Sequence, residues 1–116
     1  MALSCSDQET ADAESVCTQI DRSGKRAFSH QADVGDEQQV IAMVAAVVER
    51  FGGIDVLVNN AGIEKQVPTL EMPLDLWNAV LRTNLTGAFL CLREAWRRPR
   101  RQRKLSCSPA PLDKDR

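Results

Sequence analysis

The period of the apolar positions changes several times along the chain, and each change marks an element. Ile54-Asp55-Val56-Leu57-Val58 is a short, β-branched run set between Gly52-Gly53 and Asn59-Asn60-Ala61-Gly62. A run of this kind bounded by turn formers predicts a strand over 54–59, buried on both faces as in a parallel sheet covered by helices. Ahead of it, Val40, Val44, Val47 and Phe51 recur at helical spacing, with Ile41 and Val48 widening the stripe. Asp36 can cap that helix, Gln39 completes a weaker capping box, and Gly52-Gly53 stops it.

The same reading extends in both directions. Ala13, Val16, Cys17 and Ile20 form one stripe within a predicted helix over 6–23, with Ser6 and Glu9 spaced as a capping box and Gly24 at its end. Residues 26–34 alternate loosely and predict a short strand. Helix, strand, helix, strand with short connections implies βαβ units and a parallel sheet. Residues 63–73 contain Pro68 and Pro73 and no period, so a loop with one short turn is expected. Helix resumes at Leu74, with Trp77, Val80 and Leu81 on its apolar face, and Ala88, Phe89, Leu92 and Trp96 continue that face. Asn84, Thr86 and Gly87 interrupt it. A helix-interior Gly costs roughly 1 kcal/mol relative to Ala, so a bend or a close backbone approach is expected there.

Composition narrows the picture. The 116 residues suffice for one small domain. The formal net charge of −1 predicts neither an acidic nor a basic partner for the chain as a whole. His30 is the single histidine, and Cys5, Cys17, Cys91 and Cys107 lack metal-ligand spacing, so no metal site is expected and the cysteines should be reduced and buried. The first residues carry no charged n-region or long apolar core, and no run approaches the roughly 18 apolar residues of a membrane span. A soluble, cytoplasmic protein is the expectation. Asn84-Leu85-Thr86 matches a glycosylation acceptor that is idle without secretion.

Beyond Trp96 the character changes. Residues 97–104 hold six basic side chains in eight, and 106–116 contain Pro109 and Pro111 with no apolar period. The reading is a domain over 1–96 followed by a disordered basic tail over 97–116. Such a cluster can bind a polyanion through phosphate neutralisation, or it can be non-homologous sequence. No aromatic interleaving or nucleic-acid-binding pattern accompanies it, so nucleic acid is not the expected partner.

Candidate chemistry lies past the carboxyl end of the 54–59 strand, where open α/β sheets bind ligands. From the residues alone, a ligand site and a plain turn both remain open. With Asp33-Val34, Asn59-Asn60-Ala61-Gly62 and Asn84-Leu85-Thr86-Gly87-Ala88-Phe89 taken together, the pattern resembles the short-chain dehydrogenase/reductase family. The loop Gly62 to Pro68 and the run Glu71 to Trp77 look most like bacterial glucose 1-dehydrogenases. The resemblance covers about residues 7–96. It implies an α/β fold, a partial Rossmann-type doubly wound parallel sheet. It also implies NAD or NADP as cofactor, and hydride transfer between a sugar or other secondary alcohol and the nicotinamide. A homo- or hetero-oligomer is implied as well.

The resemblance further implies roles. Asp33 and Val34 match the pair at the adenine ring, the Asp through its carboxylate and the Val through backbone and packing. Asn60, Ala61 and Gly62 match the segment along the adenosine half of the cofactor, and Asn59 the residue tying the central strand to its neighbours. Asn84 matches the catalytic Asn that holds a helix bend and a water in a proton relay. Plain structural readings stand beside these: Asp33 and Asn60 as turn residues, Asn84 as a helix interrupter.

Several family features have no counterpart. The first strand and its Gly-rich phosphate turn are missing, and the sequence contains no Tyr, so the acid–base Tyr with its Lys and Ser is absent. Lys104, Ser106 and Ser108 stand in no matching context. After the second family strand, Ser4 to Asp7 offers no Arg for a 2′-phosphate. A truncated chain, inactive alone, is the expectation. In the family's sheet order 3-2-1-4-5 the 54–59 strand would lack both neighbours, leaving sticky edges unless another polypeptide pairs with them. The alternative is a non-catalytic remnant that binds a related subunit or, through the tail, a polyanion.

Overall fold

The computed structural model describes residues 2–5, 10–22, 26–98 and 104–107. Strand β1 (Ala2–Cys5) leads to helix α1 (Thr10–Arg22), strand β2 (Phe28–Gln31), helix α2 (Glu37–Phe51) and strand β3 (Val56–Asn59). A 3₁₀ turn (Thr69–Glu71) precedes helix α3 (Leu74–Leu81), a π-helical turn (Arg82–Gly87), helix α4 (Ala88–Trp96) and strand β4 (Lys104–Cys107). The proposed capping pair Ser6 and Glu9, and Gly24, lie outside the described residues.

Both strand pairings are parallel. β1 runs beside β2 with Ala2 opposite Phe28 and Cys5 opposite Gln31. β3 runs beside β4 with Val56 opposite Lys104 and Asn59 opposite Cys107. No ladder joins the two pairs among the described residues. Two expectations are corrected here. A strand does follow the central one, and it falls inside the stretch read as a disordered tail. The density of positive charge hid it, because β4 begins at Lys104, the last residue of the basic run, and is only four residues long. The rest of the tail, 99–103 and 108–116, lies outside the described residues.

The best-defined helix is α2, and its ends show why. Asp36 sits in extended backbone and its Oδ1 accepts from the Gln39 N–H at 3.0 Å. At the other end Gly52 adopts φ +81° and donates its N–H to Val48 O at 2.7 Å, a left-handed cap that disfavours side chains. Gln39 does not close a capping box. Its Oε1 accepts instead from the Asp33 N–H at 2.9 Å, which pins the preceding loop.

Val40, fully buried, and Val44 bring α2 against Leu90 and Cys91 of α4, with Val34 completing the core and Met43, Ile54 and Leu57 packed around it. Arg93 on α4 pairs with Glu37 in the first turn of α2. It also donates from Nε to Glu94 at 3.0 Å, and Arg97 Nη1 donates to the same oxygen at 2.9 Å. A buried carboxylate is tolerable when charged donors surround it in this way. At the far end of α2 the Phe51 and Phe28 rings lie 5.7 Å apart, with the Arg50 guanidinium 5.0 Å from the Phe28 ring centre.

The 54–59 strand is covered on one face only. Leu57 turns toward α2 and α4, whereas Val56 and Val58 are 55% and 57% exposed. The double-faced burial read from the apolar run is therefore corrected: Leu57 faces the core while Val56 and Val58, on the other face, stay exposed. The later helix also differs from its periodicity. Its core side is Gly87, Leu90, Cys91, Glu94 and Ala95, while Trp77, Leu81, Phe89 and Trp96 remain exposed. A π turn holds one residue more than an α turn, so a stripe continued across it at constant 3.6-residue spacing is displaced at Phe89 and Trp96. Trp77 and Leu81 precede the turn, and their exposure has no such cause.

Candidate functional site

The π turn at 82–87 is where the two strand-end loops meet. The loop after β2 contains Ala32, Asp33, Val34 and Gly35; the loop after β3 contains Asn60, Ala61, Gly62 and Ile63. Each is tied to the turn by different chemistry.

Asn84 holds the β3 loop through both ends of its amide. Oδ1 accepts from the Ile63 N–H at 2.8 Å and Nδ2 donates to Ile63 O at 3.0 Å. A paired contact of this kind fixes the position and the direction of the Ile63 peptide together. Just below, Asn59 Nδ2 donates to Ala88 O at 3.3 Å, so the last residue of β3 is also secured to the start of α4. Asn59 thus ties the strand to a helix.

The β2 loop is held at Asp33. Its Oδ1 accepts from the Gly35 N–H at 2.8 Å, a local Asx turn, and its Oδ2 pairs with the Arg82 guanidinium. Val34 is buried directly beneath Gly87. A Cβ at position 87 would lie 2.7 Å from Val34 Cγ2 and 3.2 Å from Val34 O, so only glycine allows this approach. The interruption expected at 84–87 is therefore a close backbone approach made within a continuous helical segment.

The structure brings Asp33, Val34 and Asn84 to one edge, with Asn60, Ala61 and Gly62 on the adjoining loop. Asn60 and Ala61 are exposed there and Gly62 is half-buried. Arg82, Gln39 and Gly35 are the additions that periodicity does not reveal. Cys91, buried under this edge, is a free thiol whose pKa burial pushes up from its ordinary 9.0. It is a packing group here, inert as a nucleophile. Among the described residues no cluster of His, Cys, Asp and Glu could hold a metal ion, and no helix is long and apolar enough to cross a membrane.

Parallel strands, crossover helices and polar loops at the carboxyl ends of strands define an α/β protein of Rossmann type. Residues 1–104 match the short chain dehydrogenase family, and the chain belongs to it. A 3-oxoacyl acyl-carrier-protein reductase, FabG, of Staphylococcus aureus is 43% identical over 91 residues, covering 78% of this chain and 37% of the relative. The corresponding reductase of Synechocystis is 40% identical over 86 residues, covering 74% of this chain and 35% of the relative. This chain thus spans little more than a third of the curated relatives it matches. Among solved structures, a Burkholderia cenocepacia short chain dehydrogenase in complex with NADP superposes with a TM-score of 0.86 at 31% identity, over 91% of this chain and 43% of that one. A Serratia marcescens short-chain dehydrogenase/reductase gives 0.80 at 30% identity, over 84% and 39%.

Proposed function

We propose that this edge is the adenosine-binding side of an NAD(P)-dependent oxidoreductase site. The observation that supports it most is the convergence of Asp33 and the Asn60–Gly62 segment on one turn, with Asn84 and Gly87 in that turn fixing both. The Asp33 side chain is 39% exposed, so its carboxylate can accept from a ligand. Ala61 and Gly62 leave room for a ring and ribose to approach backbone. These residues fit the adenosine half of a dinucleotide.

When bound, the nicotinamide supplies the hydride chemistry. In this reading Asp33 orients the adenine, Val34 supports it from below, and Asn60 to Gly62 line the ribose side. Asn84 belongs to the catalytic group by holding the turn and a relay water. With no Tyr in its sequence, the chain by itself lacks the family's acid–base group, so hydride transfer by the isolated chain is not expected. Cytoplasmic localisation goes with this reading.

The loop at 62–77 supports a sugar or simple secondary alcohol as substrate, in the manner of glucose 1-dehydrogenases. The names of the curated relatives support a 3-oxoacyl thioester instead. A second reading is a non-catalytic role in which the chain binds a related dehydrogenase subunit, or a polyanion through its basic tail. Exposed Leu74, Trp77, Leu81, Leu85, Phe89 and Trp96 along α3–α4 favour the subunit form of it. Titration of NADH and NADPH fluorescence with the purified chain tests the first reading: saturable binding lost in Asp33→Ala supports it, and no binding of either defeats it. Light scattering of the same sample reports the second.

A further inference from the structure

The order of the strands follows from the hand of their crossovers. β1, α1 and β2 form one parallel unit, with α1 packed on both strands. α2 serves the other pair. It packs on α4, and its Val40 and Val44 share a cluster with Ile54 and Leu57 that contains no α1 residue among the described ones. Helices that serve separate strand pairs of a doubly wound sheet lie on opposite faces, and crossovers are right-handed almost without exception. The second crossover therefore runs back past β1 and sets β3 beyond it, on the side away from β2. The loops after β2 and β3 reach the same π turn, so these strands point one way. Among the described residues no ladder joins β1 to β3, and each keeps one edge with no strand beside it. Next to the β3 edge, Val56 and Val58 are exposed, and Val56–Asn59 contains no Lys or Pro to blunt that edge.

We propose that these two edges form a docking slot, and that one extended apolar segment of another polypeptide adds between β1 and β3, parallel to both. The slot sets the chemistry of its occupant. Two rows of backbone N–H and C=O groups are satisfied together only by a strand that donates and accepts on both sides. One face of that strand continues Leu57 over the helical core, and the other continues Val56 and Val58. An occupant with a continuous apolar run fits better than one that alternates with polar residues. A second copy of this chain does not fit, because its β3 carries β4 and two helices with it, and only a lone strand enters between two others. The slot lies apart from the exposed α3–α4 face, and it uses none of the residues of the cofactor-side reading.

The test titrates the full chain into a fluorescein-labelled peptide, Lys-Thr-Val-Val-Ile-Val-Thr-Glu, by anisotropy, with hydrogen exchange of the complex read at the strands. Saturable binding is expected, with exchange slowed in β1 and β3 together. The same peptide with Pro in place of Ile lacks one ladder donor and should bind roughly tenfold more weakly, the scale of a lost hydrogen bond that leaves its partner unpaired. Val58→Lys, at an exposed position, should keep the wild-type melting temperature and weaken binding of the first peptide. If that variant fails to fold, the Pro peptide decides alone. Slowed exchange in β3 without β1 would mean pairing at one edge, and overturns the slot. Equal binding of the two peptides overturns it as well, as does no binding of either. Self-association that protects residues 56–58 with no peptide present would make a second copy the occupant, which also overturns it.

Discussion

The loops after β2 and β3 serve one edge, yet they are fastened by different physics. The β3 loop is held by a neutral amide pair, Asn84 to Ile63, with two hydrogen bonds of ordinary length. The β2 loop is pinned to α2 by the Gln39 amide, but its link to the shared turn is charge, Arg82 to Asp33, across partly exposed side chains. A neutral bidentate contact is short-ranged and indifferent to salt. An exposed ion pair is weak, screened and easily re-aimed. One loop is set by geometry and the other is poised by electrostatics, and both depend on the same π turn.

Substituting that shared support should have the largest effect. Gly87→Ala gains helix propensity of roughly 1 kcal/mol, but its methyl collides with Val34, which is β-branched, buried and unable to retreat. Overpacking of this sort costs about 1–3 kcal/mol, so net destabilisation is expected. Urea titration should show a lowered midpoint, and hydrogen exchange should accelerate in both loops at once. Acceleration in only one would mean that the loops are seated independently.

Next in size is Asn84→Ala. Two hydrogen bonds are lost, but Ile63 is exposed, so water replaces them and the cost stays near 1–2 kcal/mol. Exchange at the Ile63 amide should quicken while that at Gly35 does not. Asn84→Asp keeps an acceptor for the Ile63 N–H, loses the donor to Ile63 O, and should fall between.

The contrast between the two loops was only half legible in the sequence. Asn84 and Gly87 announce themselves, because an amide and a glycine inside an apolar helical stretch contradict its period. Asp33 could be placed at a strand end, and α2 could be drawn almost to the residue because its cap, stripe and glycine stop agree. Arg82 could not be found that way: an arginine on a helix is the commonest of surface residues, and its partner lies 49 positions away. The exposed face of β3 was hidden for a related reason. An apolar run shows that a strand is hydrophobic, and only tertiary packing shows which of its faces is covered. The π turn misled the reading downstream, since periodicity has no means to register one extra residue. And β4 was masked by charge, the strand pairing backbone to backbone where side chains suggested none.

The ion pair itself should contribute a smaller stability term, roughly 0.2–1 kcal/mol, as exposed pairs do. Arg82→Ala should therefore lower the urea midpoint slightly in dilute buffer and hardly at all in 1 M salt, where the screening length is about 3 Å. The deficit of Asn84→Ala should survive the same salt. If both deficits vanish together, the two loops do not differ in the way their contacts suggest.

Smallest at neutral pH, and acting on both loops from below, is the titration of Cys91. It packs with Val34, Val40, Val44 and Leu90 under the π turn, and burial raises its pKa above the ordinary 9.0. The folded state therefore favours the protonated thiol. A group raised in this way gives its full contribution below its unfolded pKa and loses it as pH climbs through the folded value. Stability should hold level from neutral pH to about 9 and then decline as the thiol is forced to ionise in an apolar setting. Cys91→Ala should start lower, because it opens a small cavity, and decline less steeply above pH 9. Urea midpoints at pH 7.5, 9 and 10.5 for the two proteins decide the matter: parallel slopes would assign the alkaline loss to other groups, whereas a flatter line for Cys91→Ala places it beneath the turn that holds both loops.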